Sequence, residues 1–158
     1  MSSTGPLGAN YTLTSTTQKF ALGLKYFDPG VVAEFEYVNA SAAISQYDAV
    51  MITDSKTASQ LTTTNAGAIP GAVGVAQVAI ASGSYGWVLR RGGIKGGGLK
   101  LNVLASCLKN VKLYTTATAG AIDDTATTLV SGLQLTTDNG GSTAAVECTA
   151  VRDICVNE

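Results

Sequence analysis

The stretch AVGVAQVAIASGSYGWVLRR, residues 72–91, carries the strongest indication of the fold. The apolar residues of its second half fall on alternate positions: Tyr85, Trp87 and Leu89. A period of two is typical of β-strands, and the segment Ala81–Ser84 between the two halves is typical of a turn. In the first half the apolar positions change phase near Ala76 and Gln77, and this change predicts a β-bulge.

Similar alternation recurs along the rest of the chain, in segments 34–38, 47–53, 99–103, 111–113 and 146–150. A spacing of roughly ten residues per strand, with Gly, Asn, Asp and Ser between strands, is typical of a barrel or sandwich. Helical turns are expected at most within 56–66 and 104–110. The sequence therefore predicts an all-β fold, an antiparallel β-barrel or sandwich of short strands.

Residues 1–30 differ from the rest of the chain and predict an extended N-terminal arm, followed by a single β domain over 31–158. The segment is rich in Ser, Thr and Gly and shows no helical or strand period. Isolated apolar anchors at Tyr11, Leu13 and Phe20 favour an arm that lies on another surface over a disordered terminus.

Composition suits a structural protein better than a free enzyme. The 158 residues are enough for one domain, and a hydrophobic fraction of 46% permits a buried core. Only 13% of the residues are charged, whereas a typical soluble domain has about a quarter. The chain has 20 Thr and 18 Gly, and a Thr- and Ser-rich surface suits a β-protein whose faces meet other protein.

Charge is unevenly distributed along the sequence. Residues 1–54 sum to −3, residues 55–122 to +7 and residues 123–158 to −5, which gives the net charge of −1. Such segregation either forms a basic face that attracts an acidic partner or averages out when the segments interleave in the fold.

The chain has no histidine, which removes the most common general base and metal ligand. Its three cysteines, Cys107, Cys148 and Cys155, show no zinc-binding spacing, and their odd number favours free thiols over a Cys148–Cys155 bridge. No stretch has the pattern of a signal peptide or a membrane span, so we expect synthesis in the cytoplasm and no membrane association.

Four basic residues, Arg90, Arg91, Lys95 and Lys100, are candidates for a contact surface. Nucleic-acid binding is disfavoured because alternation places Trp87 on the face opposite Arg90 and the pI is about 5.3. Contact with an acidic protein surface is the preferred interpretation. The glycine-rich segment 92–98 is followed by a strand pattern instead of a helix, so it does not match a phosphate-binding loop.

No pattern in the sequence predicts catalysis, a metal or a cofactor. Asp123 and Asp124 lack the spacing of a calcium loop and are better explained as turn residues. Glu34 and Glu36 alternate on one strand face, which we interpret as a solvated edge and not an acid–base pair. A Ser–Lys pair remains open. We therefore expect a protein that is not an enzyme.

Several motifs resemble, in order and spacing, the head decoration (capsid cement) proteins of tailed phages. They span about residues 34–150 and do not include 1–30 or Gly96–Gly98. The motifs are EYVNASAAISQYDAV at 36–50, VGVA at 73–76, YGWV at 85–88 with Gly92, and VKLYTTATAGAIDDTA at 111–126.

The resemblance implies a capsid decoration protein that binds the outer surface of the phage head and stabilises the shell by bridging capsid subunits. Its partners would be the major capsid protein and further copies of itself, commonly as a homotrimer, with no nucleic acid. From the sequence pattern, and not from the resemblance, we expect the contact residues for the capsid or for other subunits to include the anchors Tyr11, Leu13 and Phe20 and the four basic residues.

Two alternatives stay open. One is another virion structural component, such as a tail, fibre or head-completion protein. The other is a carbohydrate-binding β-module in which exposed Trp87 and Tyr85 would form a platform for a sugar. Burial of these two rings would argue against the second alternative.

Overall fold

The structure is a computed structural model that describes residues 8–67 and 71–157. It confirms the all-β fold class, with 45% strand and 1% helix arranged as a closed six-stranded β-barrel plus extra strands. The described strands are β1 Lys25–Asp28, β2 Ala33–Ala40, β3 Ala49–Ile52, β4 Thr57–Gln60, β5 Gly71–Ala76, β6 Tyr85–Gly92, β7 Lys100–Val103, β8 Leu113–Thr115, β9 Ile122–Asp123, β10 Leu129–Leu135 and β11 Ala144–Val156.

The strands pair mostly in antiparallel fashion, and the sheet closes into a barrel. The order is β1-β2-β4-β3-β5-β6-β11-β10-β8-β9-β7, with additional pairings of β2 with β6, β5 with β11 and β11 with β7. Two pairs, β2 with β4 and β7 with β9, are parallel. The long strand β11 contacts both halves of the sheet, because it pairs with β10 along one edge and with β7, β6 and β5 in succession along the other.

One face of strands β2 to β6 forms a cluster that we call the aliphatic core. Its buried members are Val38, Ala40, Ile44, Val50, Ile52, Ala58, Ala76, Ile80 and Val88. Space here is tight: a Cβ atom added to Gly74 would lie 2.6 Å from Val88 Cγ2, and one added to Gly86 would lie 2.8 Å from Ile80 Cδ1. Glycine is required at these two positions because the side chains of Val88 and Ile80 occupy the space that a Cβ atom would need.

The opposite face of the same strands belongs to a larger cluster, the aromatic core. It includes buried Phe35, Tyr37 and Trp87 and continues into the apolar residues of β7, β8, β10 and β11. The Trp87 ring centroid lies 4.6 Å from that of Tyr26 and 4.8 Å from that of Tyr37. Both faces of β2 and β6 are therefore buried, whereas the sequence predicted polar Glu36 at a solvated edge; Glu36 is 2% exposed.

The predicted bulge near Ala76 and Gln77 is wrong. Strand β5 ends at Ala76, and the chain then bends before Ile80 forms an isolated bridge with Ile44. Register shifts lie instead between Glu34 and Phe35 on β2 and within β10, near Gly132. The segment expected to hold at most a helical turn, 56–66, contains the short strand β4.

The extended arm predicted for residues 1–30 is not confirmed. Residues 1–7 lie outside the described residues, and the remainder of the segment lies along the barrel. Ser15 forms a bridge with Tyr85, the Gly23 N–H donates to the Tyr37 carbonyl at 2.8 Å, and β1 pairs with β2 along its whole length. The described part of the chain contains no helix of the length and hydropathy that a membrane span requires.

Candidate functional site

Two of the three predicted N-terminal anchors contact the protein's own aromatic core. The Tyr11 ring stacks on Phe35 with centroids 4.5 Å apart and planes 3° from parallel. The Phe20 ring lies 5.3 Å from Tyr37 and 5.2 Å from Trp87. Both rings therefore pack on this chain's own core through aromatic stacking. Their contact with another molecule stays a prediction.

Leu13 is the anchor that remains available to another molecule. Its side chain is 61% exposed, and it lines a cavity of about 430 Å³ together with Lys19, Phe20, Tyr85 and Trp87. Trp87 itself is 2% exposed. A ring buried to that degree does not present a flat face to a sugar, so the structure gives no support to a carbohydrate platform at Trp87.

The four basic candidates fall into different environments. Arg91, Lys95 and Lys100 are exposed, and the Lys100 ammonium lies 5.8 Å from the centre of the Tyr47 ring. Arg90 is 6% exposed and is therefore not part of an open basic surface, contrary to the expectation from alternation. Arg90 and Arg91 line a common cavity, whereas neither Lys95 nor Lys100 is among its described lining residues.

Arg90 is held in a buried ion-pair cluster that the sequence did not reveal. Its Nε lies 3.0 Å from Glu36 Oε2, and Lys56 Nζ lies 3.1 Å from the other oxygen of the same carboxylate. Arg90 Nη1 also donates to the Ile154 carbonyl at 2.7 Å and to the Val73 carbonyl. Since a buried charge is tolerated only when it is paired and hydrogen-bonded, these contacts explain how both ionic groups lie inside the fold.

A second group of polar side chains forms around Cys107. The Cys107 thiol and one carboxylate oxygen each from Asp123 and Asp124 lie within 4.8 Å of one another. Burial, and then the charges of Asp124 and Asp123, raises the pKa of the Cys107 thiol to about 12. The Asp124 carboxylate already accepts a hydrogen bond from the Leu108 N–H at 3.0 Å, which fits the predicted turn role of this residue.

A cysteine sulfur and two carboxylates are a donor set that suits zinc or a similar divalent ion, provided that the Cys107 thiol loses its proton when the metal binds. The sequence did not indicate the group, because Cys107 is separated from the two aspartates by a loop and a strand. No spacing motif joins them.

Large apolar side chains lie exposed at several places on the surface. They are Leu13, Leu24, Phe27, Val32, Ile94, Leu108, Val111 and Val151. Phe27 is 54% exposed and lies on β1, and Val32 is the last residue of the turn between β1 and β2. Apart from Leu13, these residues were not selected from the sequence, where single apolar residues in short strands cannot be separated from core residues.

Comparisons with known proteins found no matching family model, no similar curated protein and no similar solved structure.

Proposed function

We propose that this protein is a structural component of a virus particle, a capsid decoration protein that binds the outer surface of a phage head as a homo-oligomer. The proposal rests on the ordered motifs between residues 34 and 150 and on the character of the surface. It does not involve catalysis by the protein.

The observation that carries the proposal is the combination of exposed apolar side chains with low charge. Leu13, Phe27 and Val151 are 61%, 54% and 64% exposed on a chain with only 13% charged residues. Exposed apolar groups among Thr and Ser are typical of surfaces that other protein covers. Arg91, Lys95 and Lys100 would add electrostatic attraction at the rim of such contacts.

Bridging supplies the mechanism. Each exposed apolar group buries only a small area, so a single contact with a capsid subunit is weak. A symmetric oligomer that contacts several subunits makes each later contact intramolecular, which raises the total affinity without new interactions. The shell is stabilised because subunits must detach from the bridging protein before they separate.

Co-sedimentation with expanded heads that lack this protein tests the proposal. We expect saturable binding in many copies per head and, by light scattering, a free protein with the mass of an oligomer. Phe27→Ser should reduce binding about tenfold while the fold is retained, as expected for an exposed apolar contact residue. Thr125→Ala, at another exposed position, is the matched control and should bind normally. A monomer that stays in the supernatant would contradict the proposal.

A further inference from the structure

Strand β1 forms an open edge of the sheet. Among the strands of residues 8–67 and 71–157, β1 has a single neighbour, β2, whereas each of the others pairs along both of its edges. An unpaired edge presents backbone N–H and C=O groups that can pair with another strand. Self-association is part of the proposed function, but this edge can be tested without phage heads, so failure of strand pairing and failure of capsid binding are distinguishable.

The backbone groups of Lys25 and Phe27 point away from β2. The Leu24 carbonyl accepts from the Tyr37 N–H at 2.9 Å, so Leu24 faces β2. The residues that bond to the partner alternate in an antiparallel pair, so Tyr26 faces β2 as well. Within the described residues, no backbone hydrogen bond from outside β2 reaches Lys25 or Phe27. The edge therefore offers the two N–H and two C=O groups of these residues.

Exposed apolar side chains are concentrated at the same strand. Leu24 precedes β1 and is 39% exposed, Phe27 lies on β1, and Val32 ends the following turn and is 42% exposed. Neighbouring apolar groups beside an unpaired edge provide a surface that another protein chain can cover. The edge thus combines backbone hydrogen-bonding groups with apolar contact area.

The backbone at Val32 is strained in a way that points to a role for its side chain. Its φ angle is 54°, in the left-handed region that a β-branched residue rarely adopts. The Val32 carbonyl accepts from the Gly93 N–H at 2.8 Å, so the fold holds this conformation. Glycine or asparagine would adopt it with less strain. An exposed valine at this position therefore indicates a contact outside the chain.

The charges at this edge do not oppose pairing with another copy. Lysine on an edge strand commonly discourages association. Here the Lys25 ammonium lies 3.3 Å from Glu34 Oε1 on β2, so the charge is balanced within the same chain. A second copy brings the same balanced pair to the contact.

A second copy of the chain also offers the complementary set of hydrogen-bonding groups. When two β1 strands lie antiparallel with Tyr26 opposite Tyr26, Lys25 of each copy faces Phe27 of the other. The two N–H and two C=O groups of one edge then meet those of the other in four hydrogen bonds. Registers centred on Lys25 or on Phe27 make only two, and the first also places like charges opposite each other.

We propose that β1 pairs with β1 of a second copy about a two-fold axis at Tyr26, which makes one continuous sheet through both copies. This alignment brings the Leu24 end of each strand beside the Val32 end of the other. Because the contact is isologous, it closes into a pair and leaves no free β1 edge. The pairing is weak on its own, since four residues of each chain form its centre.

The test is sedimentation equilibrium of the full chain over a concentration series from about 10 µM to about 1 mM, where contacts of this size associate. We expect the average mass to rise with concentration from that of a monomer toward that of a dimer. Hydrogen exchange followed by NMR over the same series identifies the edge. The Lys25 and Phe27 amides should exchange more slowly as concentration rises, whereas the Tyr26 amide, which faces β2, should be protected throughout.

Lys25→Pro removes an N–H that points away from β2 and so leaves the pairing of β1 with β2 in place. It should weaken the dimer at least tenfold, because two of its four hydrogen bonds are lost. Lys25→Gln is the matched control: it removes the charge but keeps the N–H, and its dissociation constant should change by less than about threefold. Far-UV circular dichroism checks that both variants fold.

Val32→Asn provides a second variant that keeps β1 unchanged. Asparagine tolerates the left-handed conformation, so the fold should be retained, while loss of the apolar side chain should weaken the dimer several-fold. A mass that stays monomeric over the whole series would overturn the proposal. So would Lys25 and Phe27 amides that are protected at every dilution, since the edge would then be covered within one chain. Equal weakening by Lys25→Pro and Lys25→Gln would also overturn it.

Discussion

The aliphatic core and the aromatic core share strands β2 to β6 but are built from different side chains. In the aliphatic core, Val88 and Ile80 side chains fill the space beside Gly74 and Gly86. Glu36 and Arg90 of the ion-pair cluster lie on two of the same strands, β2 and β6. The aromatic core has large rings and receives Tyr11 and Phe20 from the N-terminal segment. The first core should therefore be sensitive to added volume and to an unbalanced charge, and the second to lost volume.

Loss of volume from the aromatic core should have the largest effect. Trp87→Ala removes a ring that is 2% exposed and contacts Phe20, Tyr26 and Tyr37. We expect the free energy of unfolding to fall by about 3–5 kcal/mol. Denaturant unfolding followed by circular dichroism measures this change. A loss below about 1 kcal/mol would mean that the ring is not packed as described.

Loss of a charge from the buried cluster should have a comparable or slightly smaller effect. Glu36→Ala leaves Arg90 buried without its carboxylate, so we expect a loss of about 3–5 kcal/mol. Lys56→Gln removes the more exposed cation of the same cluster and should cost about 1 kcal/mol or less. Equal losses in the two variants would show that burial does not determine the contribution of these charges.

Added volume in the aliphatic core should come next in size. Gly74→Ala places a Cβ 2.6 Å from Val88 Cγ2, which forces the strands or Val88 to shift, and we expect a loss of about 1–3 kcal/mol. Gly140→Ala is the matched control, because a Cβ there meets nothing within 4 Å, and its effect should stay within about 0.5 kcal/mol. Thermal unfolding of the pair decides between tight and loose packing.

The smallest effect at neutral pH is expected from the Cys148 thiol, which should change the free energy of unfolding only in alkaline solution. Burial, and then the charge of Glu147, raises the pKa of the Cys148 thiol from 9.0 to about 12. Between these values the unfolded chain has lost the thiol proton and the folded chain retains it. Stability is therefore full below pH 9 and falls as pH rises toward 12, by about 1.4 kcal/mol per pH unit for this group.

Cys148→Ala should make the stability curve less steep over the same interval of pH, whatever its effect at neutral pH. Denaturant unfolding at several pH values between 9 and 12 measures the slope. An unchanged slope in the variant would show that the Cys148 thiol does not contribute to the alkaline loss.

The sequence predicted the fold class because the alternation in segments such as 34–38 and 85–89 depends only on local geometry. It could not predict that both faces of β2 and β6 are buried. Glu36 and Arg90 are polar, and the partner that makes each tolerable lies 54 positions away in the chain. For the same reason the sequence placed Arg90 on an exposed basic surface.

The predictions of contact residues show a similar limit of reasoning from a single sequence. Tyr11 and Phe20 were identified as apolar anchors, but a single sequence does not tell whether an anchor packs on its own domain or on another molecule. The open edge of β1 was not foreseen, because residues 1–30 show no strand period and the pairing of β1 with β2 alone is a property of the folded sheet.

Electron microscopy of heads incubated with the purified protein tests the central proposal most directly. The account predicts added density at regularly repeated positions over the outer shell, with an oligomer at each position and with Leu13, Phe27 or Val151 at the contact. Density confined to a single vertex or to the tail would contradict capsid decoration and favour another virion component. Heads without added density would contradict both.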